Sequence, residues 1–535
     1  MSPTLQRLGA KMAWLARAAA CSAALLAGCA TLPPPGEEAR STALDPATVT
    51  RLSRTLATDL EQHPGKSGLL LLDSGLDAFI ARALAADLAE RTLDLQYYLV
   101  HDGLTTRVLL ARILAAADRG VRVRLLIDDL YTTGKDANIA VLDGHPNIEV
   151  RVFNPFASRS WQLGRMFAFL TDGDRLNHRM HNKMFVADNQ LAVVGGRNLG
   201  DEYFWASGGT NFADMDLLAV GPVVPNVSAS FDEYWNSPWA YRIRRLFTGH
   251  TDGGSLDRLR NRLAKELQAA AGSEYAQRLR QADLVRYLGK GELPMVWADA
   301  RVVYDKPRKV ATKGQQPDPA VHIGPLVRPV ADSAQSELVI VSPYFIPGDA
   351  GVEYLKAMVA RGVRVRILTN SLASNDVSAV HVGYARYREA LLRAGVELHE
   401  MRPALIGRNN ARDSKLMIGS SSASLHTKAF VVDSAHVFVG SMNLDPRSAY
   451  LNTELGILVD SPELARQLLV VIGQQLLPRN SFRLKLAGPE GGRQHLVWIG
   501  EEAGQPVELT TEPKASWWRR TSTRVMGWFV PERML

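Results

Sequence analysis

HNKMFVADNQLAVVGGRN (181–198) and HTKAFVVDSAHVFVGSMN (426–443) are two copies of one pattern. Each reads His-x-Lys, four residues, Asp, six residues, Gly-Gly or Gly-Ser, one residue, Asn. With average residue usage one such match arises by chance on the order of 10⁻⁵ times per chain. Two matches in equivalent places of a repeat are therefore not coincidence.

The surroundings repeat as well. Arg119-Gly120-Val121-Arg122-Val123-Arg124 and Arg361-Gly362-Val363-Arg364-Val365-Arg366 each alternate apolar and basic residues, which predicts a strand whose arginines face solvent. A helix is expected before each, near 104–118 and 350–360. An apolar strand precedes each helix, Leu93 to Val100 and Leu338 to Tyr344. Such βαβ patterning predicts a parallel or mixed sheet covered by helices. The fold class expected is α/β, with two tandem α/β/α repeats packed as one bilobal unit with pseudo-twofold symmetry. The expected boundaries are a leader at 1–28, a tether at 29–66, a first half at 67–245 and a linker of one or two surface helices at 246–295. A second half follows at 296–484, then an aromatic and basic tail at 485–535.

His and Lys two apart on a strand project from one face. Side by side, Lys183 and His181, or Lys428 and His426, suit an anionic phosphate: Lys supplies charge, His a nucleophile or a proton. Gly195-Gly196 and Gly440-Ser441 are expected where a strand ends, letting backbone N–H groups or the Ser441 hydroxyl approach phosphate oxygens. Asn198 and Asn443 offer amide donors to the same oxygens. Asp188 and Asp433 complete the motif, and their place at the turn between strands reads as ordering that turn. A His nucleophile also needs a carboxylate to set its tautomer. Counting back from Pro222 and Pro462 pairs Asp214 with Glu454. The expectation is that Asp214 orients His181 and Glu454 orients His426, with Asp216 as the alternative in the first half. His178, His381 and His399 lack the constellation and are expected on the surface or in loops. A diester needs a nucleophile on one side and an acid for the leaving alcohol on the other, so two facing copies explain the duplication.

These residues resemble the phospholipase D superfamily and its duplicated H-x-K motif, over roughly 70–480. The resemblance implies an α/β/α/β/α unit with the site between the halves and no metal or other cofactor. It implies His181 as nucleophile and His426 as acid and base. Gln96-Tyr97-Tyr98, GGRNLGDEYF (195–204), Tyr304-Asp305-Lys306-Pro307 and Ser342-Pro343-Tyr344-Phe345-Ile346-Pro347 resemble the cardiolipin synthase branch, C type. That branch moves a phosphatidyl group from one phospholipid to the head-group alcohol of phosphatidylglycerol. Hydrolysis with water as acceptor, a nuclease-like phosphodiesterase and an inactive lipid-binding scaffold are the alternatives.

The rest of the sequence bears on location. Formal net charge is +7 over 535 residues, with no long Lys/Arg stripe of the kind a nucleic-acid groove wants, so no nucleic-acid partner is expected. Arg7, Lys11 and Arg17, then an Ala-rich apolar run ending Leu25-Leu26-Ala27-Gly28-Cys29, resemble a bacterial lipoprotein leader with Cys29 as the lipidated residue. Cys21 and Cys29 are the two cysteines. Loss of the leader would leave neither disulfide nor thiolate metal site. A periplasm-facing anchor is expected, on the outer membrane in preference to the inner, because Ala30 is not the retention Asp. Three stretches mix apolar or aromatic residues with Arg and suit either a membrane interface or ordinary packing, as loops in Trp161–Leu170 and Ala404–Arg408 and as a helix docked on the core in a tail with Trp517, Trp518, Arg519, Arg520, Arg524, Trp528 and Phe529.

Overall fold

The computed structural model describes residues 32–34, 38–132, 134–157, 159, 172–312, 318–403, 423–489 and 494–526. The leader with Cys29, the stretches Trp161–Leu170 and Ala404–Arg408, and Trp528 and Phe529 lie outside the described residues.

The first half contributes β1 (Ser67–Leu72), β2 (Thr92–Tyr97), β3 (Arg122–Asp128), β4 (Ile148–Phe153), β5 (Met184–Ala187), β6 (Leu191–Gly195), β7 (Asn211–Ala213), β8 (Asp216–Val220) and β9 (Ala240–Arg242). The second contributes β10 (Val296–Tyr304), β11 (Glu337–Val341), β12 (Arg364–Asn370), β13 (Glu397–Met401), β14 (Ala423–Leu425), β15 (Ala429–Val432), β16 (His436–Gly440), β17 (Leu455–Asp460), β18 (Ser481–Ala487), β19 (His495–Glu502) and β20 (Gln505–Leu509). Followed through its hydrogen bonds, the 18-stranded sheet runs β9-β4-β3-β2-β5-β6-β8-β1-β10-β17-β16-β15-β11-β12-β13-β18-β19-β20. From β9 to β18 the order is a palindrome about β1 and β10, which pair antiparallel with Leu69 opposite Val296. The doubled sequence is thus a doubled sheet with a pseudo-twofold at that junction.

The parallel pairs β2–β3 and β11–β12 are joined by helices Leu104–Asp118 and Gly348–Ala360, as the patterning predicted. Both helices stop at a glycine with positive φ, Gly120 at 94° and Gly362 at 91°, a conformation that costs other residues a clash at Cβ. On β1, Leu69 points to a core shared by both halves while Leu70 and Leu72 point to the first half's own core. The shared core takes one face of each half-sheet and helices Val223–Trp235 and Pro462–Gln475. Helices of each half cover the opposite faces. This is the expected α/β/α/β/α layering.

Four expectations change. The linker holds three helices, Ser255–Ala271, Glu274–Arg280 and Asp283–Lys290. The segment after 484 is not simply a tail: β18 runs through it, and β19 and β20 extend the sheet. Arg124 is buried, because Asp94 stands directly opposite it on β2 and takes its guanidinium in a fork at 2.7 and 2.8 Å. Asp232 at 2.8 Å and the Ser41 carbonyl at 2.9 Å close the cage. His381 and His399 are buried in a helix and a strand, and His178, in a loop as expected, is buried as well. His381, for one, bonds Arg388 at 2.6 Å and Glu512 at 3.3 Å.

Candidate active site

Each motif folds as a tight hairpin, β5–β6 and β15–β16, whose turn explains its Asp. Asp188 and Asn189, and Asp433 and Ser434, all adopt positive φ of 48–54°. The Asp188 carboxylate accepts the N–H groups of Glu90, Arg91 and Thr92 at 2.8–2.9 Å. Asp433 accepts those of Gln335, Ser336 and Glu337 at 2.8 Å. Each Asp therefore fastens the start of β2 or β11 to the hairpin, at the end of β5 or β15 opposite the histidine. Counted with the catalytic set from the motif, they act in the structure as anchors.

The two histidines stand just before β5 and β15. Their segments are laced to the opposite half by backbone hydrogen bonds. His181 N–H donates to Thr453 O at 2.9 Å, and Thr453 N–H donates to Arg179 O at 2.8 Å. His426 N–H donates to Ala213 O at 2.8 Å, next to the parallel pair β7–β14. The side chains follow. His181 Nδ1 lies 2.8 Å from Glu454 Oε2, and His426 Nδ1 lies 2.6 Å from Asp214 Oδ2.

This pairing is the reverse of the one expected. Asp214 and Glu454 do occupy equivalent positions, but each serves the histidine of the other half. Within one half β6 lies between the H-x-K strand and β8, or β16 between it and β17. Two strand spacings are about 10 Å, too far for a hydrogen bond. Asp216, the alternative, is consumed by Arg82 at 3.0 Å and Arg197 at 3.3 Å. With Nδ1–H donated to a carboxylate, Nε2 is the nitrogen left on each ring for chemistry.

The small residues also work differently from expectation. Gly196 N–H donates to Met215 O and Ser441 N–H to Leu455 O, so neither is aimed at a phosphate. A Cβ at Gly196 would collide with the Asp214 carboxylate. At the equivalent place Ser441 donates its hydroxyl to Glu454 Oε2 at 2.5 Å. Gly196 and Ser441 thus seat the two carboxylates. Ser448, which the sequence reading did not single out, donates to Glu454 Oε1 at 2.8 Å. Asp305 of the Tyr304–Pro307 stretch accepts the Glu454 N–H at 2.7 Å while paired with Lys309 at 3.0 Å. Asn198 accepts the Leu99 N–H and donates to Tyr203 Oη at 3.0 Å, which occupies part of the amide meant for phosphate. Asn443 has a buried Oδ1 with no partner among the described residues.

Electrostatically the site is one unit. Lys183 Nζ and Lys428 Nζ donate to the carbonyls of His181 and His426 at 2.5 and 2.6 Å. Burial drives Lys183 well below the usual ammonium range against the pull of Glu454, and drives Lys428 down to about 8. Burial, then the charges of Lys183, Lys428, His426 and Arg447, hold His181 well below an ordinary imidazole. His426 is lowered by burial and Lys428, with Asp214 opposing. Burial raises Glu454 to about 7. Burial also raises Asp214, but His426 and Lys428 outweigh it and leave the group below its usual value. Charges from both halves thus act on each ring, as one shared site requires. Aromatic rings flank both imidazoles: Tyr98 edge-on to His181 at 4.9 Å, Tyr203 edge-on to His426 at 5.3 Å, and Phe212 at 5.1 Å. A resemblance marked Tyr98 and Tyr203, but nothing in their spacing announced these contacts.

Two H-x-K hairpins exchanging carboxylates across a pseudo-twofold define a phospholipase D-type site. The family described as "Cardiolipin synthase, PLD-like domain" matches residues 85–235 and 328–475. Cardiolipin synthase C of Escherichia coli (strain K12) is 40% identical over 493 residues, 91% of this chain and 100% of the relative. Cardiolipin synthase B of Shigella flexneri is 23% identical, over 85% of each chain. The crystal structure of phosphatidylserine synthase from Haemophilus influenzae Rd KW20 superposes with a TM-score of 0.51 at 13% identity, covering 81% of this chain and 92% of that one, a likeness of fold. The chain belongs to the phospholipase D superfamily, in its cardiolipin synthase branch, and is a phosphatidyltransferase of that superfamily.

Proposed function

We propose that the protein makes cardiolipin by moving a phosphatidyl group onto the head-group hydroxyl of phosphatidylglycerol, through a phosphohistidine. The observation that carries this is the crossed pairing, His181 on Glu454 and His426 on Asp214, which leaves two Nε2 atoms for one phosphorus. The neutral His181 Nε2 attacks the phosphorus of the donor lipid. The bond to the head-group oxygen breaks, and His426 Nε2–H protonates the departing alcohol. His426, now neutral, takes the proton from the phosphatidylglycerol hydroxyl. That oxygen attacks phosphorus, the N–P bond breaks, and His181 is restored. Lys183 and Lys428 balance the anionic phosphate. The lowered basicity of His181 favours it as nucleophile, and the ionised Asp214 favours His426 as the proton carrier.

The leader ending Leu25-Leu26-Ala27-Gly28-Cys29 supports attachment to a periplasm-facing membrane through lipidated Cys29, the outer membrane in preference to the inner. Among the described residues no helix is long and apolar enough to cross a membrane.

The test is product analysis by mass with phosphatidylglycerol, with and without phosphatidylethanolamine. Cardiolipin is the expected product. Phosphatidic acid alone would mean that water is the acceptor and would overturn the transfer reading.

A further inference from the structure

Large apolar side chains stand exposed around the mouth of this site. Tyr131, 46% exposed, packs edge-on to Tyr98, the ring that flanks His181. Tyr450, 44% exposed, sits in the turn Arg447–Leu451, whose Ser448 holds Glu454. Val377, 41% exposed, follows Asp376, which accepts the Tyr344 hydroxyl at 2.9 Å and whose charge reaches Lys428. Trp517 and Trp518 are 69% and 71% exposed at the start of the helix Trp517–Met526. That helix is tied to the same rim, because the Arg519 guanidinium donates to the carbonyls of Ala373 and Asn375.

The exposure of the tryptophans is not fraying. The chain just before them is fastened by Glu512, which bonds Arg388 at 2.6 Å and His381 at 3.3 Å in the interior. Two adjacent indoles in water are costly for a soluble surface and are a feature of binding surfaces. The helix has Arg519, Arg520 and Arg524 and no acidic residue, so its charge complements an anionic surface. Trp with Arg is the combination that favours the phospholipid headgroup layer.

We infer that this rim, led by Trp517 and Trp518, seats the protein on an anionic phospholipid bilayer with the two imidazoles turned to the headgroups. The inference rests on the phospholipid reading of the site. It makes the site's access to a lipid independent of any N-terminal anchor: the anchor keeps the protein near a membrane, and the rim sets its orientation.

The test compares the full chain with Trp517→Ser/Trp518→Ser on vesicles of phosphatidylglycerol and phosphatidylethanolamine with brominated acyl chains. Bromine quenches only indoles that enter the bilayer, so the reading holds even where the N-terminus alone retains the protein. Quenching of the parent that disappears in the double variant is the expected result. Turnover on vesicles should fall roughly tenfold in the variant, while turnover of dispersed short-chain phosphatidylglycerol stays near the parent's. Equal quenching of both proteins, or none, would overturn the inference. So would a variant that changes self-association and leaves vesicle turnover untouched, since the surface would then belong to a second copy. Quenching that depends on the pair in a protein that forms no lipid product would support the seat and overturn the catalytic reading alone.

Discussion

His181 and Glu454 are 273 positions apart and belong to different repeats, yet His181 Nδ1 and Glu454 Oε2 are 2.8 Å apart in the interior. The same exchange joins His426 to Asp214 at 2.6 Å. Neither half can orient its own histidine, so the halves are useful only together. That relationship shapes what substitutions should do.

If His181 attacks and His426 protonates, the two alanine variants should fail differently. Both should lose at least about 10³-fold in turnover. With a donor lipid, His426→Ala should accumulate a phosphatidyl adduct on His181, visible as an intact-mass increase and stable at alkaline pH, while His181→Ala should show none. An adduct on His426 in His181→Ala would exchange the roles.

The pH dependence should follow the crossed pairs. kcat/KM requires neutral His181 and protonated His426 and should be bell-shaped. An adjacent anion stabilises the imidazolium and raises its pKa, so removing the anion lowers it. Asp214→Asn should therefore move the alkaline limb to lower pH by about one pH unit. Glu454, raised by burial to about 7, is largely neutral where His181 titrates, so Glu454→Gln should leave the acid limb near the parent's. An Asp214→Asn profile that shifts on its acid side would reverse the assignment of limbs.

Gly196→Ala should injure catalysis through the Asp214 carboxylate that Gly196 seats. The added Cβ displaces Asp214 from His426. Activity should fall by about 10²-fold and the pH profile should resemble that of Asp214→Asn. Ser441→Gly, which removes only one hydrogen bond to Glu454, should cost less. Steady-state kinetics across pH decides both.

Asp188→Ala and Asp433→Ala should lower stability and spare the chemistry. Each strands several N–H groups that now meet a carboxylate, a loss of about 2–3 kcal/mol in chemical denaturation. Burial raises Asp433, but the N–H groups of Glu337, Gln335 and Ser336 outweigh it and bring it to about 2. A carboxyl depressed by folding stabilises above its unfolded pKa and loses that contribution as pH falls towards 2. The gap between parent and Asp433→Ala should therefore close between about pH 4 and pH 2. Activity per folded molecule far below the parent's would place these residues in the chemistry after all.

Turnover should withstand EDTA. Lys183, Lys428 and the imidazolium supply the positive charge that a metal would bring to a phosphate elsewhere. Activity lost to the chelator and restored by zinc would overturn the metal-free step.

Much of the fold was legible because it is periodic. The alternation at Val121–Arg124 and Val363–Arg366, the glycines that end the preceding helices and the duplicated H-x-K hairpins specify strands, crossovers and a tandem repeat. Period two also predicted solvated arginines on β3, and there it misled. Alternation says which residues share a face but not what covers it, and Arg124 meets Asp94, Asp232 and the chain at Ser41.

From the residues alone came the two histidines, their lysines and the equivalence of Asp214 with Glu454, because spacing along a strand records register within a half. Gly196 beside Asp214, Ser441 beside Glu454 and Tyr98 beside His181 are contacts within one half that only folding brought together, and the packing of the halves decided that each histidine takes the other half's carboxylate and that Tyr203 and Phe212 flank His426. The contacts between the halves arise where two sheets meet about a pseudo-twofold, and no periodicity within either copy encodes which edge faces which.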